Sequence, residues 1–216
     1  MNRAFLLCAL LGSLSAGSKA EAAGGAAAAG DTGSPSGELA HRAVVRASLW
    51  VGLPTLSRVS HTVNDDCSGL AYLAYRRRGL NLLPERTLPG EGGVAAIYRK
   101  ARSLGALHQE EPHPGDLVFF RNTYDRNGDG RRNDGLTHIG VVERVDADGT
   151  VTFVHRAGGG VKRSKLNLSQ PGVRRNEHGR VLNDYLRRPE RVVRPRLAGQ
   201  LCAGFATVDQ RWFTTP

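Results

Sequence analysis

Cysteine is scarce in this chain: three in 216 residues, at Cys8, Cys67 and Cys202. One copy can therefore hold at most one internal disulfide, and each thiol needs its own explanation. Negative charge is also in short supply, with 20 Asp and Glu against 30 Lys and Arg and a formal net charge of +10. Such a balance points to polyanionic surroundings without choosing among nucleic acid, anionic membrane and bacterial cell wall. No basic run is interleaved with aromatics, which ranks nucleic acid low. No internal period is present, so a solenoid is excluded, and past the N-terminus no stretch is apolar enough to cross a bilayer.

What is present begins with a three-part N-terminus. Arg3 supplies a short positive region, Ala4 to Ala16 (AFLLCALLGSLSA) an apolar run, and Ser18 and Ala20 small residues for cleavage. Residues 1–20 read as a secretory signal peptide, removed with Cys8, which predicts a secreted or periplasmic protein without stable membrane insertion. In an oxidising compartment Cys67 and Cys202 can bridge, and that structural reading stands beside any chemical one. Residues 21–37 form an Ala, Gly and Ser linker that cannot bury a core. The length then suits one domain, placed at 38–196, with 197–216 as a tail carrying no legible pattern.

Helices come first. Leu39, Ala43, Ala47 and Trp50 share helical spacing in a segment from Glu38 that ends near Gly52. A second helix starts at Cys67 with Leu70, Leu73 and Ala74 on one face; Arg76, Arg77 and Arg78 fill its last turn and Gly79 ends it. A third runs from Gly92 to Gly105. Strands follow at Gly115–Phe120, Thr137–Val145 and Thr150–Arg156, the last two joined by the hairpin turn 146–149. Helices followed by an antiparallel sheet define an α+β fold. Residues 156–196 concentrate the cations, as a solvated basic surface or a docking face for polyanions.

A nucleophilic thiol needs a lowered pKa, an imidazole and a group to orient that imidazole. Cys67 stands where a helix begins, and a helix N-terminus favours the thiolate. Among seven histidines, His41, His61, His108, His113 and His178 fall in no pattern. His138 and His155 lie on the two strands of the predicted hairpin. A four-residue turn pairs position 155 with Gly140, which puts both imidazoles on one face within reach of each other. An odd-length turn without a bulge separates them. A zinc site built from Cys67, His138 and His155 matches no spacing signature.

Four ordered motifs carry a resemblance: DCSG at Asp66–Gly69, PGDLVFF at Pro114–Phe120, THIGVV at Thr137–Val142 and FVH at Phe153–His155. Together they resemble the NlpC-type cell-wall cysteine peptidases and their cousins, the CHAP amidohydrolases, over about residues 38–190; NDYLRR at Asn183–Arg188 looks like the closing strand of that family. The resemblance implies a papain-like fold and an exported, monomeric endopeptidase acting on peptidoglycan stem peptides. It makes Cys67 the nucleophile, His138 the general base and then acid, and His155 the orienting third member, the latter favouring the NlpC side. Asp66 and Ser68 become candidates for binding the amino end of the substrate. The Tyr and Gly pair common before the Asp-Cys step in relatives is missing from RVSHTVND, which leaves the substrate-end preference open. The alternatives are a CHAP-type amidase, acyl transfer by the same residues, and a non-catalytic, calcium-stabilised wall-binding module.

Calcium enters through DRNGDGRRNDG, residues 125–135. Asp125, Asn127 and Asp129 alternate before Gly130, as in the first half of a calcium loop, with the Arg131 carbonyl as the next ligand. Position twelve is Leu136 instead of Glu, so Asp134 is the nearest later carboxylate. The expected role is structural, pinning the loop that leads to His138, and no cofactor is expected for catalysis. A polar loop of Asn-Gly and Asp-Gly turns is the competing reading.

Overall fold

A computed structural model describes residues 34–77, 79–109, 111–189 and 195–213. The expected signal peptide and most of the linker lie outside these residues. Helix α1 (Pro35–Leu49) starts inside the expected linker because Ser34 caps it, its hydroxyl accepting from the Gly37 N–H, and Pro35 suits the first turn. Leu39, Ala43 and Ala47 are buried as their spacing requires, whereas Trp50 already sits past the helix end.

Helix α2 (Cys67–Ala74) buries Leu70, Leu73 and Ala74 as expected, but it is shorter than its sequence suggests. Tyr75 leaves the helix to bury its ring and donate its hydroxyl hydrogen to the Gly115 carbonyl. The carbonyls at the helix end are met by a neighbour: the Arg46 guanidinium from α1 donates to Ala74 (3.2 Å) and Arg76 (2.9 Å). Arg76 and Arg77 therefore lie beyond the helix, which corrects the expected last turn. Helix α3 (Gly93–Ser103) falls where the sequence places it.

The sheet has six strands: β1 (Leu107–His108), β2 (Leu117–Arg121), β3 (Leu136–Val145), β4 (Val151–Ala157), β5 (Gly160–Leu166) and β6 (Cys202–Ala206). All neighbours are antiparallel, in the order β1-β6-β2-β3-β4-β5. Helices first and then an antiparallel sheet is the expected α+β architecture. The residues read as a tail are a correction: short helix α4 (Ala198–Leu201) leads into β6, which is inserted between β1 and β2. Asn183–Arg188 is a second one, forming no strand and only an isolated bridge from Tyr185 to Leu197. Strand alternation divides the core. Leu117, Phe119, Ile139, Val141 and Val154 pack with α1–α3. Val118, Phe120, Val142, Phe153 and Leu166 pack on the other face with α4 residues and Phe205.

The β3–β4 hairpin keeps the predicted register by an unpredicted route. Val145 pairs with Val151, so the turn has five residues, an odd length. A bulge between Val142 and Arg144 takes the extra residue back, and Val142↔Phe153 and Val141↔Val154 fall in the expected register. Gly140 has to be glycine here, because a Cβ would lie 2.7 Å from the Phe153 ring and 3.0 Å from the Val154 carbonyl oxygen.

Candidate active site

Cys67 is the first residue of α2, as its sequence context predicts. The preceding residue, Asp66, caps the helix: its carboxylate accepts from the Gly69 N–H at 2.8 Å and from the Ser68 hydroxyl at 2.7 Å. The glycine of the DCSG motif is dictated by crowding, since a Cβ at Gly69 would stand 2.0 Å from the Asn64 carbonyl oxygen. Asp66 and Ser68, expected to hold substrate, thus line the cleft while bonded to each other. Asp65 braces the same loop. Its carboxylate takes a two-pronged ion pair from Arg156 (2.9 and 2.8 Å) and a hydrogen bond from the Leu56 N–H (2.8 Å). The Arg156 hydrogen bonds hold the Asp65 carboxyl well below the usual carboxylate range. This ion pair ties the segment before Cys67 to the residue after His155.

The histidines meet as the hairpin register requires. His138 Nε2 and His155 Nδ1 are 2.6 Å apart, with the rings nearly perpendicular at 86°. His155 Nε2 lies 3.0 Å from the Ser164 hydroxyl on β5, a partner absent from the sequence reading because β5 itself was hidden in a basic run. His155 is 1% exposed, and the rings of Phe120 and Phe153 flank the pair. With His155 buried and His138 half-buried against phenylalanine, both imidazoles resist protonation. Burial first and the Lys162 charge second push His138 down to about 4, opposed by Asp66; burial, His138 and Lys162 push His155 well below its ordinary value.

Cys67, His138 and His155 line one cleft of about 690 Å³, together with Asp65, Asp66, Ser68 and Lys162. The sulfur is a free thiol, as is that of Cys202, so the bridge between them is not formed. Burial pushes the Cys67 thiol up to about 11, and the Asp66 charge adds to the rise; the backbone N–H groups of Ile139, Ser68 and Cys67 oppose it. This corrects the expectation of a thiolate favoured by the helix end. The capping carboxylate offsets the positive end of the helix dipole that would otherwise favour the thiolate. Free protein therefore holds a neutral thiol beside neutral imidazoles.

The residues proposed for calcium occupy a largely exposed loop whose polar groups bond mostly to one another, although Asp134 Oδ2 is buried without a hydrogen-bond partner among the described residues. Asp125 accepts from the N–H groups of Gly128 and Gly130, Asn127 from Asp129, Asp129 from Arg131 and the Asn133 amide, and Asp134 from Arg126 and Asn127. Among the described residues no group of three His, Cys, Asp or Glu side chains is gathered to hold a metal ion.

Residues 58–157 match the CHAP domain, a span that includes Cys67, His138 and His155 and stops short of Ser164. The match falls on the CHAP member of the two related families. CHAP domains are in general hydrolytic enzymes of the cell wall, with peptidoglycan as substrate, and the α+β architecture accords with their papain-like fold. No curated protein and no solved structure matches the chain.

Proposed function

We propose that this chain is an exported cysteine hydrolase that cuts an amide bond within peptidoglycan stem peptides. The observation that carries the reading is the convergence, in one cleft, of a thiol at a helix start and a hydrogen-bonded imidazole pair. The base requires one of the two proton arrangements that these contacts admit. His155 donates its Nε2–H to Ser164, which leaves its Nδ1 to accept from the Nε2–H of His138. The remaining His138 nitrogen, Nδ1, then carries the lone pair that a general base needs.

Because the resting thiol is neutral, attack and proton transfer proceed together. The thiol proton passes to His138 Nδ1, the sulfur bonds to the amide carbon, and the carbonyl π pair moves to oxygen. The backbone N–H groups of Cys67 and Ser68, which in the free protein face the Cys67 sulfur, are the natural donors to that oxyanion once the sulfur has bonded to carbon. Collapse breaks the C–N bond, and the His138 Nδ1–H goes to the leaving amine. Water, deprotonated by the same imidazole, then hydrolyses the thioester and restores Cys67. His155 and Ser164 touch no substrate; they hold the base in its productive tautomer.

The CHAP match favours a second reading, an amidase that cuts between the glycan and its peptide. Mass spectrometry of the released fragments separates the two: an endopeptidase leaves an amino-acid stub on the glycan, an amidase a bare lactyl group. The test of hydrolysis itself compares clearing of purified cell walls by the protein and by Cys67→Ala. Thiol-dependent clearing that the substitution abolishes supports the enzyme; equal wall binding by both forms with no fragments released supports a binding module.

A further inference from the structure

The cleft is rich in cations, but most of them are engaged. Arg156 is held by Asp65, Arg126 donates to the Gly90 carbonyl at 2.6 Å, and Arg187 donates to the Asn122 carbonyl at 2.6 Å. Lys162 differs. It is exposed on β5 directly opposite His155 in the strand register and lines the cleft, and its ammonium makes no hydrogen bond or ion pair among the described residues. Its place beside the histidines is a liability for the chemistry. A positive charge next to His138 disfavours the imidazolium that forms when the thiol proton is taken, and among the described residues Asp66 is the carboxylate that acts on that imidazole in the opposite sense. An anion seated on Lys162 removes the liability.

We propose that Lys162 recognises a free carboxylate of the substrate, carried close to the amide that Cys67 attacks, with exposed Arg188 lining the same cleft. The inference rests on the hydrolase reading and narrows its substrate to acidic peptides, bearing a terminal or side-chain carboxylate, in preference to amidated ones. Pairing neutralises Lys162 only while substrate is bound. The carboxylate therefore assists the base as well as the binding, and the preference extends to kcat as well as KM.

Two probes test this: soluble muropeptides with native carboxylates, and the same muropeptides with those carboxylates converted to amides. The full-length protein is expected to cleave the native form with a kcat/KM about tenfold higher, the scale of one charge-assisted hydrogen bond. Lys162→Gln should abolish the difference, and Lys162→Arg should retain it. Equal cleavage of both probes by the wild type, or an undiminished preference in Lys162→Gln, overturns the proposal while leaving the hydrolase intact. Cleavage of neither probe, or equal cleavage by Cys67→Ala, overturns the hydrolase reading and this inference with it.

Discussion

The two walls of the cleft are built on opposite plans. The helix wall is wet: Asp65 and Asp66 are exposed, and they position Cys67 through caps and an ion pair that solvent reaches. The sheet wall is dry: His138, His155 and Ser164 form a row of hydrogen bonds between phenylalanine rings. The contrast teaches where each kind of control resides. Charge near a wet group is screened and adjusts its properties by small steps, whereas a partner removed from a dry row leaves a polar group with nothing to replace it.

The strongest way to sharpen this contrast is to cut the dry row at its reacting end. His138→Ala should lower kcat/KM by about a thousandfold, the usual scale for a general base, with peptide release as the measurement. A loss of only a few fold would remove His138 from the reaction.

Acid should weaken the dry wall next. His138 stays neutral down to about 4 in the folded protein against 6.5 for an ordinary histidine, so the unfolded chain binds protons first as pH falls. Stability from this group is complete above pH 6.5 and declines as pH drops toward 4. The expected loss is about 3 kcal/mol between pH 7 and pH 4, read from urea midpoints. His138→Gln has nothing to protonate there and should lose much less; equal losses would count against a dry imidazole.

At the far end of the row, Ser164→Ala should reduce kcat by about tenfold, and Ser164→Thr should restore it. The acid limb of the pH profile should move lower in the alanine variant, because His155 then accepts less well from the His138 imidazolium. An unchanged profile would leave Ser164 a packing residue. The smallest effect belongs to the wet wall. Asp66→Asn keeps a good helix cap but removes the charge, so alkylation of Cys67 by iodoacetamide at fixed pH should quicken by roughly two- to fivefold. An unchanged rate would show that the capping charge does not reach the sulfur.

Much of both walls was legible in the sequence, and the reasons are local. Leu70, Leu73 and Ala74 announce α2 by spacing, and β-branched runs announce β2, β3 and β4. The hairpin register was reached although the turn is one residue longer than expected, because the bulge before Arg144 compensates. Strand β5 was not legible. Lys162, Arg163 and Lys165 read as a solvated charge run, and only pairing with β4 makes them part of a strand. Strand β6 is short and built largely of small residues, and its place between β1 and β2 depends on partners far away in the chain. Within the site, the sequence indicated Cys67 as a helix start but not the sign of its environment. That depends on the Asp66 cap and on how deeply the sulfur is buried, neither of which is a property of spacing.

Strand β5 also terminates the sheet, and the manner of its ending has a bearing on self-association. Its outer side is closed near one end by backbone bonds between Val161 and the Gly52–Leu53 segment, and near the other by Lys165 with Asp184. Between these clasps stand Lys162, whose cation repels the same strand of a second copy, and Arg163, which is held by Glu143. Edge-to-edge sheet extension into fibrils or swapped dimers is thereby discouraged where the protein would be most exposed to it. The lysine beside the histidines thus also serves colloidal stability, and exchanging it for an apolar residue would remove part of that guard.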